Sequence, residues 1–263
     1  MFAILAERYD ERMDARMSRT PTAEPLSDII SLARGKALAK TTASVAFALV
    51  LLLASLAIAG CSSSDSGYNA DSIYSNGVRV KGDVTGTHHA EVVVEGYEPF
   101  TIELDADAAP ISVSNFMELA QNGYYDGLAF YRIDDGFVIQ GGTLGNTASG
   151  SDNTLAPVAG EFSSNGYENA LADSFDAGVV SMARSSDPNS ATSTFFITLA
   201  DAESDKVDAL NGNYAAFGTI DAAGMEIVKS IVNDYIEYAD GSNMGAISDE
   251  EHMPIIESIT ILD

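Results

Sequence analysis

Residues 130–142 read FYRIDDGFVIQGG, two apolar runs joined by a short acidic turn that contains glycine. Aromatic and β-branched residues bounded by such a turn are typical of two strands, here residues 128–133 and 137–141. Side chains alternate between the two faces of a strand, so Val138 and Gln140 are expected to share one face. This pair of strands is the part of the chain that decides the fold.

An arginine lies inside the first of these runs. Only three arginines follow residue 60, namely Arg79, Arg132 and Arg184, and the last two lie in apolar, aromatic stretches. A charged group in such surroundings needs partners, because leaving water is costly for an ion. Arg132 is therefore interpreted either as an ion-pair partner of a nearby aspartate in the turn, Asp134 or Asp135, or as a functional guanidinium.

The rest of the chain from about residue 89 indicates an all-β domain with two helices. The sequence predicts further strands at residues 91–95, 100–105, 179–183, 194–199, 214–220 and 256–262, which makes about eight. Apolar residues at helical spacing predict two helices, one near residues 113–120 and one near residues 225–232, with Asp221 as a candidate N-cap of the second. Such a pattern favours an antiparallel barrel or sandwich over alternating strands and helices.

Four ordered blocks, from about residue 90 to the end, resemble the cyclophilin-type peptidyl-prolyl isomerases. Besides FYRIDDGFVIQGG, they are Ala109-Pro110 through Asn115-Phe116 to YYDG at 124–127, VSMAR at 180–184 through DPNSA to Phe195-Phe196-Ile197, and LNGNYAAFG at 210–218. The resemblance implies a closed eight-stranded antiparallel barrel capped by two α-helices, which agrees with the count of strands and helices.

The same resemblance implies the residues of a site. It makes Arg132, Gln140 and Phe137 the catalytic residues, and it gives substrate binding to Val138, Ala183, Arg184, Thr194, Phe196, Leu210 and Tyr214. The backbone groups of Ala183 and Arg184 would pair with an extended peptide, and Phe195 would lie in the core. Thr194 departs from the usual glutamine of the family, which removes a polar reach toward the peptide. No metal and no cofactor is implied.

The charge of the chain is distributed unevenly. The whole chain has 13 basic and 39 acidic residues and a net charge of −26. Residues 1–60 hold seven basic and six acidic residues, which leaves six basic and 33 acidic residues in 61–263, a net charge of −27. A domain this acidic, without a basic patch, speaks against binding to nucleic acid.

The amino-terminal region predicts export and a membrane anchor. Arg34, Lys36 and Lys40 precede an uncharged apolar run at residues 41–59, and Cys61 follows at once. This resembles the lipobox of bacterial lipoproteins, in which the cysteine is lipidated after cleavage. The alternative is an uncleaved membrane helix, because the run approaches the ~20 residues that span a bilayer.

Three regions and a function follow from these patterns. We expect a signal or anchor segment at 1–60, a lipidated flexible tether at 61–88 and an isomerase domain at 89–263. The expected protein is a monomer, anchored by lipid to the cell membrane and facing the extracytoplasmic side, which acts on proline-containing polypeptides. Two other hypotheses stay open: a proline-peptide-binding chaperone module with little turnover, and a barrel that only displays an acidic surface.

Overall fold

The computed structural model describes residues 73–147, 152, 154–200 and 204–263, which belong to one compact unit, Gly67–Asp263. The predicted anchor at 1–60, the predicted lipidation site at Cys61 and residues 61–72 of the predicted tether lie outside the described residues. Within the described part of the chain, no helix is both long and apolar enough to cross a membrane.

The chain forms ten strands and three α-helices within the described ranges. In chain order they are β1 Tyr74–Ser75, β2 Val78–Arg79, β3 Thr87–Val94, β4 Phe100–Asp105, α1 Pro110–Gln121, β5 Phe130–Asp134, β6 Val138–Gly141, β7 Val179–Met182, β8 Phe195–Thr198, α2 Asp205–Asp208, β9 Ala216–Ile220, α3 Ala222–Tyr235 and β10 Ile256–Ile261. The eight predicted strands and both predicted helices are confirmed. The hairpin β1–β2 and the short helix α2 are additions.

Strand β4 shows why these segments fold as they do. Phe100, Ile102 and Leu104 are buried while Thr101 and Glu103 between them are exposed. One face of the strand thus packs into the core and the other meets water, which is the alternation that the sequence predicts. The predicted N-cap of α3 is also confirmed, because an Asp221 carboxylate oxygen accepts a hydrogen bond from the Gly224 N–H at 2.8 Å.

Eight strands form one antiparallel sheet in the order β10-β3-β4-β9-β7-β8-β6-β5. The sheet curls into a half-barrel, and the prediction of a closed barrel is wrong. Residues 127–130 and 254–256, at the ends of the two edge strands, are joined by one bridge, Ala129–Ile255, and three backbone hydrogen bonds, but within the described residues β5 and β10 are not paired along their lengths. Closure fails because the chain at 245–247 occupies the outer edge of β5, where the Ile133 N–H donates to the Gly245 carbonyl and the Ile247 N–H to the Tyr131 carbonyl, both at 2.8 Å.

The core lies on the concave side of the sheet, under helix α1. Phe116 on α1 contacts the rings of Tyr125, Phe195 and Phe217, with ring centroids 5.1–5.6 Å apart. All four rings are fully buried. Burial of this aromatic cluster fixes the sheet against the helix.

A buried carboxylate fixes the start of α1. Glu161 is 2% exposed and accepts hydrogen bonds from the backbone N–H groups of Ile111 and Ser112 and from the Ser112 hydroxyl, at 2.7–2.9 Å. The first N–H groups of a helix have no partner within it, and Glu161 supplies that partner from 50 residues further along the chain. Burial raises the pKa of this carboxyl, while its hydrogen bonds act in the opposite direction.

The chain from Ile73 to Thr85 packs against the folded domain, although it falls within the predicted tether. Arg79 on β2 is buried and pairs with Glu118 on α1 at 2.8 Å and with Asp83 at 3.2 Å. Its backbone also bonds to Pro157 and Ala159. The folded domain therefore begins well before residue 89.

Candidate active site

Four neighbouring strands bring the site residues into one row across the sheet. Arg132 on β5 lies opposite Gln140 on β6, Gln140 lies opposite Phe196 on β8, and Phe196 lies opposite Ser181 on β7. Directly paired residues of antiparallel strands share a face, so these four side chains emerge on the same side. Strands lie about 4.8 Å apart, which puts the backbones of Arg132 and Phe196 roughly 10 Å from each other.

The guanidinium of Arg132 is held by three acceptors. Nη1 donates to Gln140 Oε1 at 2.9 Å, Nη2 to Asp134 Oδ2 at 2.9 Å, and Nε to the Met244 carbonyl at 2.7 Å. The side chain is 16% exposed. Because an arginine has five N–H donors in a rigid fork, two donors remain after these bonds. The guanidinium is thus fixed in direction and still able to donate.

Phe137 lies beside this guanidinium. The turn between β5 and β6 closes with a hydrogen bond from the Phe137 N–H to the Asp134 carbonyl, and Gly136 within it has φ +60°. The Arg132 Cζ atom lies 5.8 Å from the centroid of the Phe137 ring. The Lys206 Nζ atom lies 5.6 Å from the same ring and also pairs with Asp134 at 2.8 Å. Asp134 therefore joins the two cations that flank Phe137.

Aromatic rings continue the row beyond Gln140. Phe196 contacts Tyr214 edge to face at 5.7 Å and stacks on Phe175 at 6.2 Å. Phe195, the next residue, points to the other face and packs among Phe116, Tyr125 and Phe130, which confirms its predicted place in the core. The site therefore combines one guanidinium with an apolar, aromatic wall.

Two other predicted lining residues are mostly buried. Val138 precedes Gln140 by two residues and shares its face, and it is 2% exposed. Leu210 is 5% exposed, follows helix α2, which carries Lys206, and belongs to the apolar core. Val138 therefore contributes buried apolar surface on the face of the row.

Comparison with known proteins decides the family. The family model described as cyclophilin type peptidyl-prolyl cis-trans isomerase/CLD matches residues 89–255. The chain belongs to this family. A protein of Acinetobacter baylyi named peptidyl-prolyl cis-trans isomerase is 39% identical over 132 residues, which are 50% of this chain and 65% of that protein, just under two thirds of its length.

Two further relatives extend the comparison. Peptidyl-prolyl cis-trans isomerase cyp18 of Streptomyces antibioticus is 36% identical over 164 residues, which cover 61% of this chain and 91% of that protein. The crystal structure of a cyclophilin type peptidyl-prolyl cis-trans isomerase of Cryptosporidium parvum superposes with a TM-score of 0.55 at 25% identity, covering 68% of this chain and 99% of the other. The cyclophilin fold is thereby shown for the described domain.

Within this cyclophilin fold, Gln140 acts on two neighbours. It accepts from Arg132, as above, and its amide Nε2 donates to the Tyr131 hydroxyl at 2.5 Å. Burial raises the pKa of Tyr131, while the bond from Gln140, the charge of Arg132 and Thr194 lower it. Thr194, predicted to bind the substrate, is thus close to the Tyr131 hydroxyl, which in turn accepts the hydrogen bond from Gln140.

The predicted backbone site at Ala183 and Arg184 is only partly open. The Ala183 N–H donates to the Thr194 carbonyl at 2.9 Å, so it is already occupied. Pairing of the Ala183 N–H with a peptide would therefore require this bond to open, and the predicted role of the Ala183 and Arg184 backbone stays a prediction. Among the described residues, the N–H and carbonyl of Arg184 make no hydrogen bond.

Sequence reasoning missed two contributors to the site and gave a third a different role. The Met244 carbonyl is a backbone group from a loop 112 residues away, and no residue type signals it. Lys206 had a weak signal, as one of the few basic residues after residue 60. Asp134 was interpreted as an alternative surface partner of Arg132, and the structure shows that the pair forms in a shielded position, with Asp134 18% exposed.

Among the described residues, no cluster of three or more His, Cys, Asp or Glu side chains could hold a metal ion.

Proposed function

We propose that this chain catalyses peptidyl-prolyl cis–trans isomerisation with Arg132 as the catalytic residue. The observation that carries the proposal is the guanidinium of Arg132, fixed by Gln140, Asp134 and the Met244 carbonyl beside the Phe137 ring. Family membership supports the reaction class.

The reaction needs a lower barrier to rotation and no bond cleavage. Resonance gives the peptide C–N bond partial double-bond character and a barrier of about 18–20 kcal/mol. In the twisted transition state the prolyl nitrogen becomes pyramidal and regains its lone pair. A donor aimed at that nitrogen binds the transition state better than the planar substrate and so accelerates rotation.

Each part of the row has a task in this proposal. The remaining donors of Arg132 bond the prolyl nitrogen, and Gln140 holds the guanidinium in place. Phe137, Val138, Phe196, Leu210 and Tyr214 surround the proline ring, and Thr194 supports Tyr131 and Gln140. The backbone of Arg184 pairs with the extended peptide, which gives affinity without strong sequence demands.

The experiment is a protease-free assay of cis-to-trans relaxation of a proline tetrapeptide, with the full-length protein in detergent. Arg132→Ala is expected to lower kcat/KM by roughly a hundredfold, in the range expected for loss of one preorganised donor. Arg132→Lys keeps the charge but loses the planar fork of donors, so its kcat/KM should be close to that of Arg132→Ala. Thermal unfolding of both variants checks that the domain stays folded.

The same assay separates the rival hypothesis of a proline-peptide-binding module with little turnover. Arg132 is already paired with Asp134, and a neutralised guanidinium is compatible with binding alone. A binding module would hold the peptide in a fluorescence titration, show no acceleration and lose nothing in Arg132→Ala. Acceleration by the wild-type protein that is lost in this variant would exclude it.

The proposal includes a place of action outside the cytoplasm. Its support is the sequence alone: the apolar run at 41–59 followed by Cys61. The lipidated form would assist the folding of exported proteins, and isomerisation consumes no ATP. Mass spectrometry of the mature amino terminus tests this, because a diacylglyceryl cysteine adds the mass of its acyl chains. An intact residue 1 or an unmodified Cys61 thiol would contradict it.

A further inference from the structure

Basic side chains are rare in the domain, and half of them surround the candidate active site. Residues 61–263 contain six basic residues. Arg132 and Lys206 lie against Phe137, and the Cζ atom of Arg184 lies 4.6 Å from the centroid of the Tyr214 ring. In an acidic domain, this arrangement concentrates positive charge at the row.

Arg184 differs from the other two cations in its partners. Arg132 and Lys206 share Asp134 as counter-charge. Arg184 bonds instead to neutral carbonyls: Nε and Nη2 donate to Asn213 at 2.9 and 2.7 Å, and Nη1 donates to Ser185 at 2.9 Å. Among the residues that the structure describes, no carboxylate lies within ion-pair distance of it.

The position of the Arg184 head group is fixed before any ligand binds. The guanidinium packs between two rings, Tyr214 at 4.6 Å and Phe162 at 5.2 Å, and the carbonyl bonds set its rotation. Two of its five N–H donors are left over. A half-buried cation without a counter-ion, held rigidly, loses little further conformational entropy when it binds an anion.

The place of Arg184 relative to the row sets what it can reach. Tyr214 contacts Phe196, which stands two strands from Arg132. Arg184 therefore lies at the far end of the aromatic wall from Arg132. A peptide whose proline sits between Arg132 and Phe196 brings neighbouring residues past Tyr214 to Arg184.

We propose that the Arg184 guanidinium selects substrates with a glutamate or aspartate within three residues of the proline. This inference rests on the proposed isomerase function and adds a preference to it. The anionic side chain supplies the carboxylate that Arg184 lacks among the described residues of the chain. Arg184 is then a specificity residue through its side chain, besides its backbone.

The acidic residues of the domain repel an acidic substrate that is still far from the site. Thirty-three acidic residues create a repulsive field, but salt at about 0.15 M screens charges beyond about 8 Å. A direct contact with Arg184 is screened much less. For a partly exposed ion pair, we expect kcat/KM to change about threefold to tenfold.

The test compares proline peptides that carry Glu or Gln at each of the three positions before and after the proline, at about 0.15 M salt. The readout is the ratio of kcat/KM for the Glu peptide to that for the Gln peptide, so a uniform loss of turnover does not affect it. The wild-type protein should show a ratio of about three to ten at one position. Arg184→Gln should bring this ratio to one or below.

Lys229→Gln is the matched control, because it removes the same charge from an exposed pair with Glu226 on α3. This variant should keep the wild-type ratio. A ratio of one in the wild-type protein, a preference that persists in Arg184→Gln, or an equal loss in Lys229→Gln would overturn the proposal. Should Arg184→Gln not fold, the wild-type ratio must fall as salt is raised, and an unchanged ratio would count against it.

Failure of the proposed function is recognisable separately. A protein that accelerates none of the peptides lacks the isomerase activity, whatever Arg184 does. Titration of fluorescent Glu and Gln peptides then measures the affinity ratio directly. The same threefold to tenfold difference supports the role of Arg184, and equal affinities contradict it.

Discussion

Arg79 and Arg132 are two shielded arginines with similar partners and different surroundings. Their side chains are 7% and 16% exposed, and each guanidinium bonds to a carboxylate and to a backbone carbonyl. Arg79 faces helix α1 of its own chain, whereas Arg132 lies beside a partly exposed aromatic ring. The two arginines therefore cannot be told apart by the number of their partners. They differ in what lies next to them: a helix of the core for Arg79, and a partly exposed ring that a ligand can contact for Arg132.

This contrast divides the domain into two regions. Around α1, the polar groups of Arg79 and Glu161 bond to the chain itself, so their removal should cost stability. Along the row from Arg132 to Ser181, the guanidinium of Arg132 lies beside the partly exposed ring of Phe137, so changes there should cost activity. The four predictions that follow test this division.

The largest stability effect is expected for Glu161→Ala. The substitution leaves the N–H groups of Ile111 and Ser112 buried without an acceptor, which should cost about 2–3 kcal/mol of unfolding free energy. Urea unfolding measures it. Glu226→Ala is the control, because that side chain is exposed and should change stability by less than about 0.5 kcal/mol. If Glu161→Ala lost no more unfolding free energy than Glu226→Ala, the hydrogen bonds of Glu161 to α1 would not contribute to stability.

Arg79→Met should cost about 2 kcal/mol, because the substitution removes two ion pairs but leaves Glu118 and Asp83 able to regain water. The kcat/KM of the folded fraction should stay at the wild-type value. Lys81→Met, an exposed neighbour with the same loss of charge, should change neither quantity. A lower kcat/KM in a folded Arg79→Met protein would contradict the claim that Arg79 has a structural role only.

Gly245→Ala should damage the site from the loop that carries Met244. A Cβ at residue 245 would lie 2.0 Å from the Ile133 carbonyl oxygen, and φ is +82°. The loop must shift, which displaces the Met244 carbonyl from Arg132, and kcat/KM should fall about tenfold. Gly241→Ala in the same loop has open space around its Cβ and should remain active. Equal activity of the two variants would contradict a positioning role for this carbonyl.

The smallest effect concerns pH. Burial raises the pKa of Glu161 above its ordinary value of 4.5, so its ionisation opposes folding. The stability that Glu161 contributes is therefore complete below pH 4.5 and declines as pH rises through the raised pKa. The unfolding free energy of wild type minus that of Glu161→Gln should fall as pH rises from below 4.5 through the raised pKa. A difference that rises with pH would mean that the hydrogen bonds outweigh burial.

Much of the fold could be predicted because its signals are local. Phe100, Ile102 and Leu104 alternate with polar residues, and burial follows that alternation. Closure of the barrel could not be predicted, because it depends on which segment reaches the outer edge of β5. That competition between 245–247 and β10 is decided by contacts more than 100 residues apart.

The site was predictable where a residue type carries the chemistry. Arg132, Gln140 and Phe137 lie together, as the resemblance carried by residues 130–142 implies. Backbone contributors escape such reasoning, since any residue offers a carbonyl, as at Met244. The occupied N–H of Ala183 escapes it for the same reason, because its partner is the carbonyl of Thr194, the residue before β8.

The segment that prevents closure has a second consequence, for solubility. An open edge strand exposes unpaired N–H and C=O groups on which a foreign extended chain can add itself. On β5, residues 245–247 bond to these groups at Tyr131 and Ile133. These bonds keep this part of the β5 edge from adding an extended strand of another chain.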